Sequence, residues 1–66
     1  MLAKDLALAL SIITRVYPEA KVVYSEVDKC LVVEEAGHMS QQAEDVIRGL
    51  GLKYSESHGV CWYAHI

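Results

Sequence analysis

Hydrophobic and polar positions alternate along this chain with two periods, and the switches between them mark six elements. From Leu2 to Tyr17 the apolar residues Leu2, Leu6, Ala9, Leu10, Ile13 and Val16 recur at the i, i+3, i+4, i+7 spacing of a helix, with Lys4, Ser11 and Arg15 opposite. Leu8 and Ile12 widen that stripe at its margin. A broad core face accounts for them; a second contact surface is the alternative. Pro18 ends the helix, because the residue before a proline is pushed out of the α region. Lys21 to Val27 reads as a strand, Asp28-Lys29 as a tight turn, and Cys30 to Glu35 as a second strand carrying Leu31-Val32-Val33. Ala36-Gly37-His38 breaks the pattern. Ser40 is the N-cap of a second helix, with Glu44 and Asp45 near its positive end. Met39, Ala43, Val46, Ile47 and Leu50 form its apolar face, and Gln41, Gln42, Glu44, Asp45 and Arg48 its polar one. Gly49 or Gly51 closes it. Leu52 to Glu56 is a short polar strand and Ser57-His58-Gly59 a turn. Val60 to Ile66, rich in β-branched and aromatic residues and free of Asp, Glu, Lys and Arg, is expected to be a central strand buried on both faces.

The resulting order, αββαββ, is one unit used twice. Tyr24-Ser25-Glu26 recurs as Tyr54-Ser55-Glu56, and Cys30 recurs as Cys61 with one extra residue between. A pseudo-twofold axis would place the second strand of each unit side by side at the sheet centre. At the level of element order this resembles a ferredoxin-like βαββαβ fold whose first strand has moved to the chain's end. The resemblance implies an α+β domain with a four-stranded antiparallel sheet ordered third, fourth, second, first, and both helices on one face. Polar edge strands would resist aggregation; Lys53 to Ser57 fits that pattern and Val22-Val23 fits it less well.

If both helices cover one side, strand alternation assigns the other. Val60, Trp62, Ala64 and Ile66, with Leu31 and Val33, belong to the core. Cys30, Val32, Cys61 and Tyr63 fall on the open face. Val23, Val27 and His65 join them if Val22 and Tyr24 point inward. An open face of an antiparallel sheet is ordinarily polar, and this one is largely apolar. Burying about 600 Å² of it at roughly 25 cal/mol per Å² would yield about 15 kcal/mol before association costs. These seven residues are therefore the expected partner-binding surface, and a second copy laid sheet on sheet is the simplest occupant.

Length sharpens this expectation. The 66 residues form a single domain, of which 53% are hydrophobic. A chain so short buries only about 60% of its unfolded surface, so a homodimer or a larger protein partner is expected. The net charge is -3, and Lys4, Arg15, Lys21, Lys29, Arg48 and Lys53 are scattered singly. That distribution offers no basic patch for nucleic acid. The most apolar early run, Leu6 to Ile13, is far short of the ~20 residues of a membrane span. Asp5 precedes it and no small-x-small cleavage site follows closely, so no signal peptide and a cytoplasmic location are expected.

The chemistry available is sparse. Cys30, His58, Cys61 and His65 are the residue types of a zinc site, but on a strand Cys61 and His65 stand about 13 Å apart, whereas zinc ligands lie about 2.0–2.3 Å from the metal. No metal and no cofactor are expected; a metal- or small-ligand-binding domain built on Cys30, Cys61 and nearby histidines is the alternative function. The two cysteines read as buried thiols facing each other across central strands, with a disulfide as the alternative. Glu34-Glu35 reads as a solvated strand end and His38 as a loop residue. Cys61 with His58 makes a formal nucleophile pair without a sign of activation. Tyr63 could stack a base, yet no basic surround accompanies it. The reading is a small non-catalytic protein-interaction module, a regulator or inhibitor of a larger protein, with no catalytic residues.

Overall fold

The computed structural model describes residues 1–56 and 61–65. Helix α1 spans Ala3–Val16, strands β1 and β2 span Lys21–Ser25 and Cys30–Glu34, helix α2 spans Gln41–Gly49, and strands β3 and β4 span Lys53–Ser55 and Cys61–His65. The described residues form an α+β arrangement of two helices and one four-stranded antiparallel sheet, ordered β1-β2-β4-β3. That is the expected order, and β4 is indeed central. Val60, Ile66 and the Ser57-His58-Gly59 turn lie outside the described residues.

Local chemistry explains the element ends. Tyr17 donates its N–H to the Ile13 carbonyl as α1 stops before Pro18. Ser40 caps α2, its hydroxyl accepting the Ala43 N–H at 3.3 Å. At the other end the Leu52 N–H reaches the Ile47 carbonyl (3.1 Å) and the Gly51 N–H reaches that of Arg48 (3.0 Å). This is the Schellman pattern, with Leu52 and Ile47 both buried as its apolar clasp. Gly51 takes a φ of 107°, which side-chain-bearing residues rarely adopt. Between β1 and β2 the turn takes four residues, 26–29, rather than two, and Lys29 enters the left-handed region at φ 54°. Glu35, at φ 61°, ends β2 in the same way.

The core gathers Ala9 and Ile13 of α1, Ile47 of α2, Val33 of β2, and Trp62 and Ala64 of β4, joined by Ala36 and Leu52. Register places Val33 opposite Trp62 and Leu31 opposite Ala64, so these four of the residues assigned to the core share a face of the sheet. Leu31 is only half-buried. The repeated triplets occupy matching positions. Tyr24 pairs with Leu31 and Ser25 with Cys30 on one side, and Tyr54 with Trp62 and Ser55 with Cys61 on the other.

Two expectations are corrected here. Cys30 and Cys61 lie on neighbouring strands but do not face each other. Cys30 is opposite His65, and Cys61 is opposite Glu34. Four residues of offset is roughly 13 Å along a strand, beyond the Cα separation a disulfide spans, and both cysteines are free. Glu44, assigned above to the polar face of α2, is buried. Its carboxylate turns back past the helix start to accept the Met39 N–H at 2.7 Å.

Candidate functional site

Two groups of side chains have enough chemistry to be considered: the sheet face away from the core cluster, and the charged and aromatic residues around Glu44.

On the first, alternation brings Val23 of β1, Cys30 and Val32 of β2, and Cys61, Tyr63 and His65 of β4 to one side. Val23 is opposite Val32, Val32 opposite Tyr63, and Cys30 opposite His65. These six residues line a shallow trough of about 680 Å³, together with Ser25, Asp28, Glu34, Glu35 and Ser55, and no residue of either helix lines it. The thiols form its floor, with Cys30 3% and Cys61 8% exposed. Val32 and Tyr63 are half-buried along its middle. Lys21 and Lys53 share the same face by register, opposite Glu34 and Tyr63. The apolar centre is therefore ringed by charges of both signs, a more mixed rim than the sequence suggests. Val27 does not join the group. β1 ends at Ser25, and Val27 sits in the turn with 94% of its surface exposed.

The chemistry on this face is muted. Burial pushes the Cys61 thiol above its ordinary value, and the Glu34 carboxylate and Cys30 add to the shift. A raised thiol pKa lowers the thiolate fraction at neutral pH, the opposite of nucleophile activation. His58, the partner considered for Cys61, lies outside the described residues. Among the described residues no three His, Cys, Asp or Glu side chains converge as metal ligands. His65 sits edge-on to Tyr63, their ring centroids 5.8 Å apart.

The second group pins the loop that joins β2 to α2. The Trp62 indole N–H donates to the Gly37 carbonyl at 2.9 Å, and the Tyr17 hydroxyl donates to the His38 carbonyl at 2.6 Å. Glu44 takes the Met39 N–H, meets the His38 Nδ1 at 3.0 Å, and receives the Arg48 guanidinium at 3.2 Å. The Met39 N–H holds its carboxyl below the ordinary glutamate range; burial works against this, and His38 and Arg48 add to the lowering. The His38 ring stacks on Tyr54 with centroids 4.2 Å apart, Tyr54 meets Trp62 edge-on at 5.2 Å, and Arg48 lies over the Trp62 ring at 5.3 Å. The Trp62, Tyr17, Glu44 and Arg48 polar groups engage the loop or one another, so the cluster serves packing and loop anchoring. His38 is thus more than a plain loop residue. The carboxylate four positions beyond the Ser40 cap is the sequence signal that points to it.

No helix among the described residues is long and apolar enough to cross a membrane. Compared with protein-family models, with curated proteins and with solved structures, the chain matches no family model, and no curated protein or solved structure matches it significantly.

Proposed function

We propose that this chain is a small non-catalytic protein-interaction module, a cytoplasmic homodimer that regulates or inhibits a larger protein through its uncovered sheet face. The observation that carries the reading is the composition of that face. Val23, Val32 and Tyr63 run across three adjacent strands over a thiol floor, with charges confined to the rim. An apolar centre with a polar rim is the usual anatomy of a protein contact. The raised Cys61 thiol supports a surface used for contact over one used for nucleophilic chemistry.

The trough shape also bears on the occupant. Two troughs laid against each other meet at their rims and leave their middles unfilled, and unfilled space forfeits dispersion contacts. A convex surface of a larger partner fills the trough better than a second copy laid sheet on sheet. The fold reading belongs with this one. An αββαββ chain with the sheet order seen here is what results when the first strand of a ferredoxin-like fold moves to the end. We take the two halves as pseudo-twofold mates with both helices on the core side. The matched Ser25–Cys30 and Ser55–Cys61 pairs support this.

The test is Tyr63→Asp, compared with Gln42→Asp on the exposed side of α2. Each variant is purified from the cells that make the chain, after circular dichroism has established that it is folded. A protein that accompanies the wild type and Gln42→Asp but is absent from folded Tyr63→Asp is the expected result. An unchanged set of accompanying proteins sinks the proposal, and unfolding of Tyr63→Asp means that the face assignment is inverted.

A further inference from the structure

We infer that the outer edge of β1 is the seam of a two-fold homodimer, in which two sheets join into one of eight strands and two troughs into one surface. This deepens the homodimer part of the function proposed above and rests on that part alone.

The exposure of β1 is the starting point. Its apolar residues are open on both faces: Val22 is 43%, Val23 42% and Tyr24 55% exposed. Val22 and Tyr24 point to the core side by register, opposite Val33 and Leu31, yet neither belongs to the core. An edge strand that exposes three consecutive large apolar residues invites pairing with another strand. The other edge is different, because β3 has only three residues and a single large apolar one, Tyr54, between Lys53 and Ser55.

An internal comparison sharpens the point. Tyr54 is the counterpart of Tyr24 in the second half of the chain. It is half-buried, because the His38 ring stacks on it at 4.2 Å and Trp62 meets its edge. The loop that covers Tyr54 comes from within the chain. Among the described residues, no aromatic ring covers Tyr24.

The sequence of β1 is complementary to itself. In a two-fold antiparallel pair, residues that face each other lie on the same side of the sheet. The register that uses all five residues is centred on Val23. It sets Val23 against its own copy, Val22 against Tyr24 twice, and Lys21 against Ser25 twice. Pairs of an aromatic with a β-branched residue are among the favourable cross-strand contacts. The Lys21 contact is complementary in charge. Ser25 holds Asp28, its hydroxyl 3.3 Å from the Asp28 carboxylate and 3.3 Å from the Asp28 N–H. Lys21 of one copy therefore arrives beside Asp28 of the other, and no like charges fall opposite each other. Among the described residues of the lone chain, Lys21 meets an acid only at a distance, the exposed Glu35 at 3.9 Å. Each Tyr24 gains Val22 of the second copy as its cover.

The experiment is molar mass by light scattering across a dilution series, for wild type, Tyr24→Lys and Tyr63→Asp, with circular dichroism to establish folding. Tyr24 lies outside the core, so its replacement leaves the fold in place. The wild type is expected to be a dimer. Tyr24→Lys, which loses two cross-strand pairs and gains two cations at the seam, is expected to raise the dissociation midpoint about tenfold or more, and Tyr63→Asp to leave it unchanged. Independently, Val23→Cys is expected to cross-link to itself under mild oxidation. Directly opposed residues have Cα atoms about 4.5–5.5 Å apart, within disulfide reach. Lys21→Cys, offset from its own copy by four residues, is expected not to. A wild type that stays monomeric overturns both the seam and the homodimer. A dimer that Tyr63→Asp splits and Tyr24→Lys does not overturns the seam alone and moves the contact to the open face. Equal cross-linking of Val23→Cys and Lys21→Cys also overturns the seam.

Discussion

Trp62 and Tyr63 are adjacent in sequence and opposite in consequence, and a pair of conservative substitutions measures the difference. Trp62 is fully buried, and its indole N–H donates to the Gly37 carbonyl at 2.9 Å. Trp62→Phe keeps an aromatic ring but deletes that donor, at a cost of about 1 kcal/mol for a typical hydrogen bond. It also leaves a cavity of about 40 Å³, which at roughly 24 cal/mol per Å³ adds about 1 kcal/mol. The sum of about 2 kcal/mol is a large part of the ~3–10 kcal/mol that a chain of this size holds in total. At about 4–8 °C per kcal/mol for a small domain, the melting temperature should fall by roughly 8–16 °C. Tyr63→Phe is the control. It keeps the ring on the half-buried open face and should change stability by less than about 0.5 kcal/mol, as surface substitutions do. Thermal unfolding followed by far-ultraviolet circular dichroism, with the protein concentration held fixed, reads both. Equal shifts for the two variants, or a larger one for Tyr63→Phe, would refute the assignment of faces on which the site rests.

Two further outcomes follow from the ionisable groups. Glu44 has a folded pKa lowered below its ordinary value of 4.5. Its contribution to stability is therefore present above pH 4.5 and is lost as pH falls through the lower folded value. Denaturant titrations at a series of pH values should show stability declining on the acid side of 4.5. Glu44→Gln should be less stable at neutral pH and should flatten that decline; an unchanged slope would remove Glu44 as its source. The Cys61 thiol, pushed up by burial and by Glu34, should react with a disulfide reagent at pH 8 at least about tenfold more slowly in the folded protein than in denaturant, because the thiolate is the reacting form. Equal rates would show that the trough floor is open to solvent and the thiol is unperturbed.

The order of elements and of strands is legible in the chain because each depends on short-range pattern. The helical stripe ending at Pro18, the Ser40 cap and the Gly51 stop are local signals, and each appears in the structure within a residue or two. Strand alternation likewise assigns Val33, Trp62 and Ala64 to one side and Val32, Cys61 and Tyr63 to the other. Features that depend on distant contacts are not legible. The register of β2 on β4 couples Val33 to Trp62 across 29 positions of sequence, and periodicity alone gives no offset, so the two cysteines appear to match when they do not. The alternation of β1 carried on to Val27 fails because the chain leaves the strand after Ser25, in a four-residue turn without glycine. Glu44 looks like a solvent residue by helical spacing. Its carboxylate is held by the Met39 N–H and the His38 ring, both ahead of the helix, which a helical wheel does not display. The exposure of Val22 and Tyr24 also escapes pattern reading, since it depends on which part of the sheet the core cluster covers.

The central claim is that a protein surface rests on the open face at Tyr63, and a photoreactive phenylalanine analogue placed there tests it most directly. The same analogue at Gln42, exposed on α2, is the reference, and both are irradiated in the cells that make the chain. The account predicts a discrete covalent adduct from position 63, heavier than the chain by the mass of a larger protein, and none of that mass from position 42. Irradiation that yields no adduct at 63, or the same adducts from both positions, would contradict it.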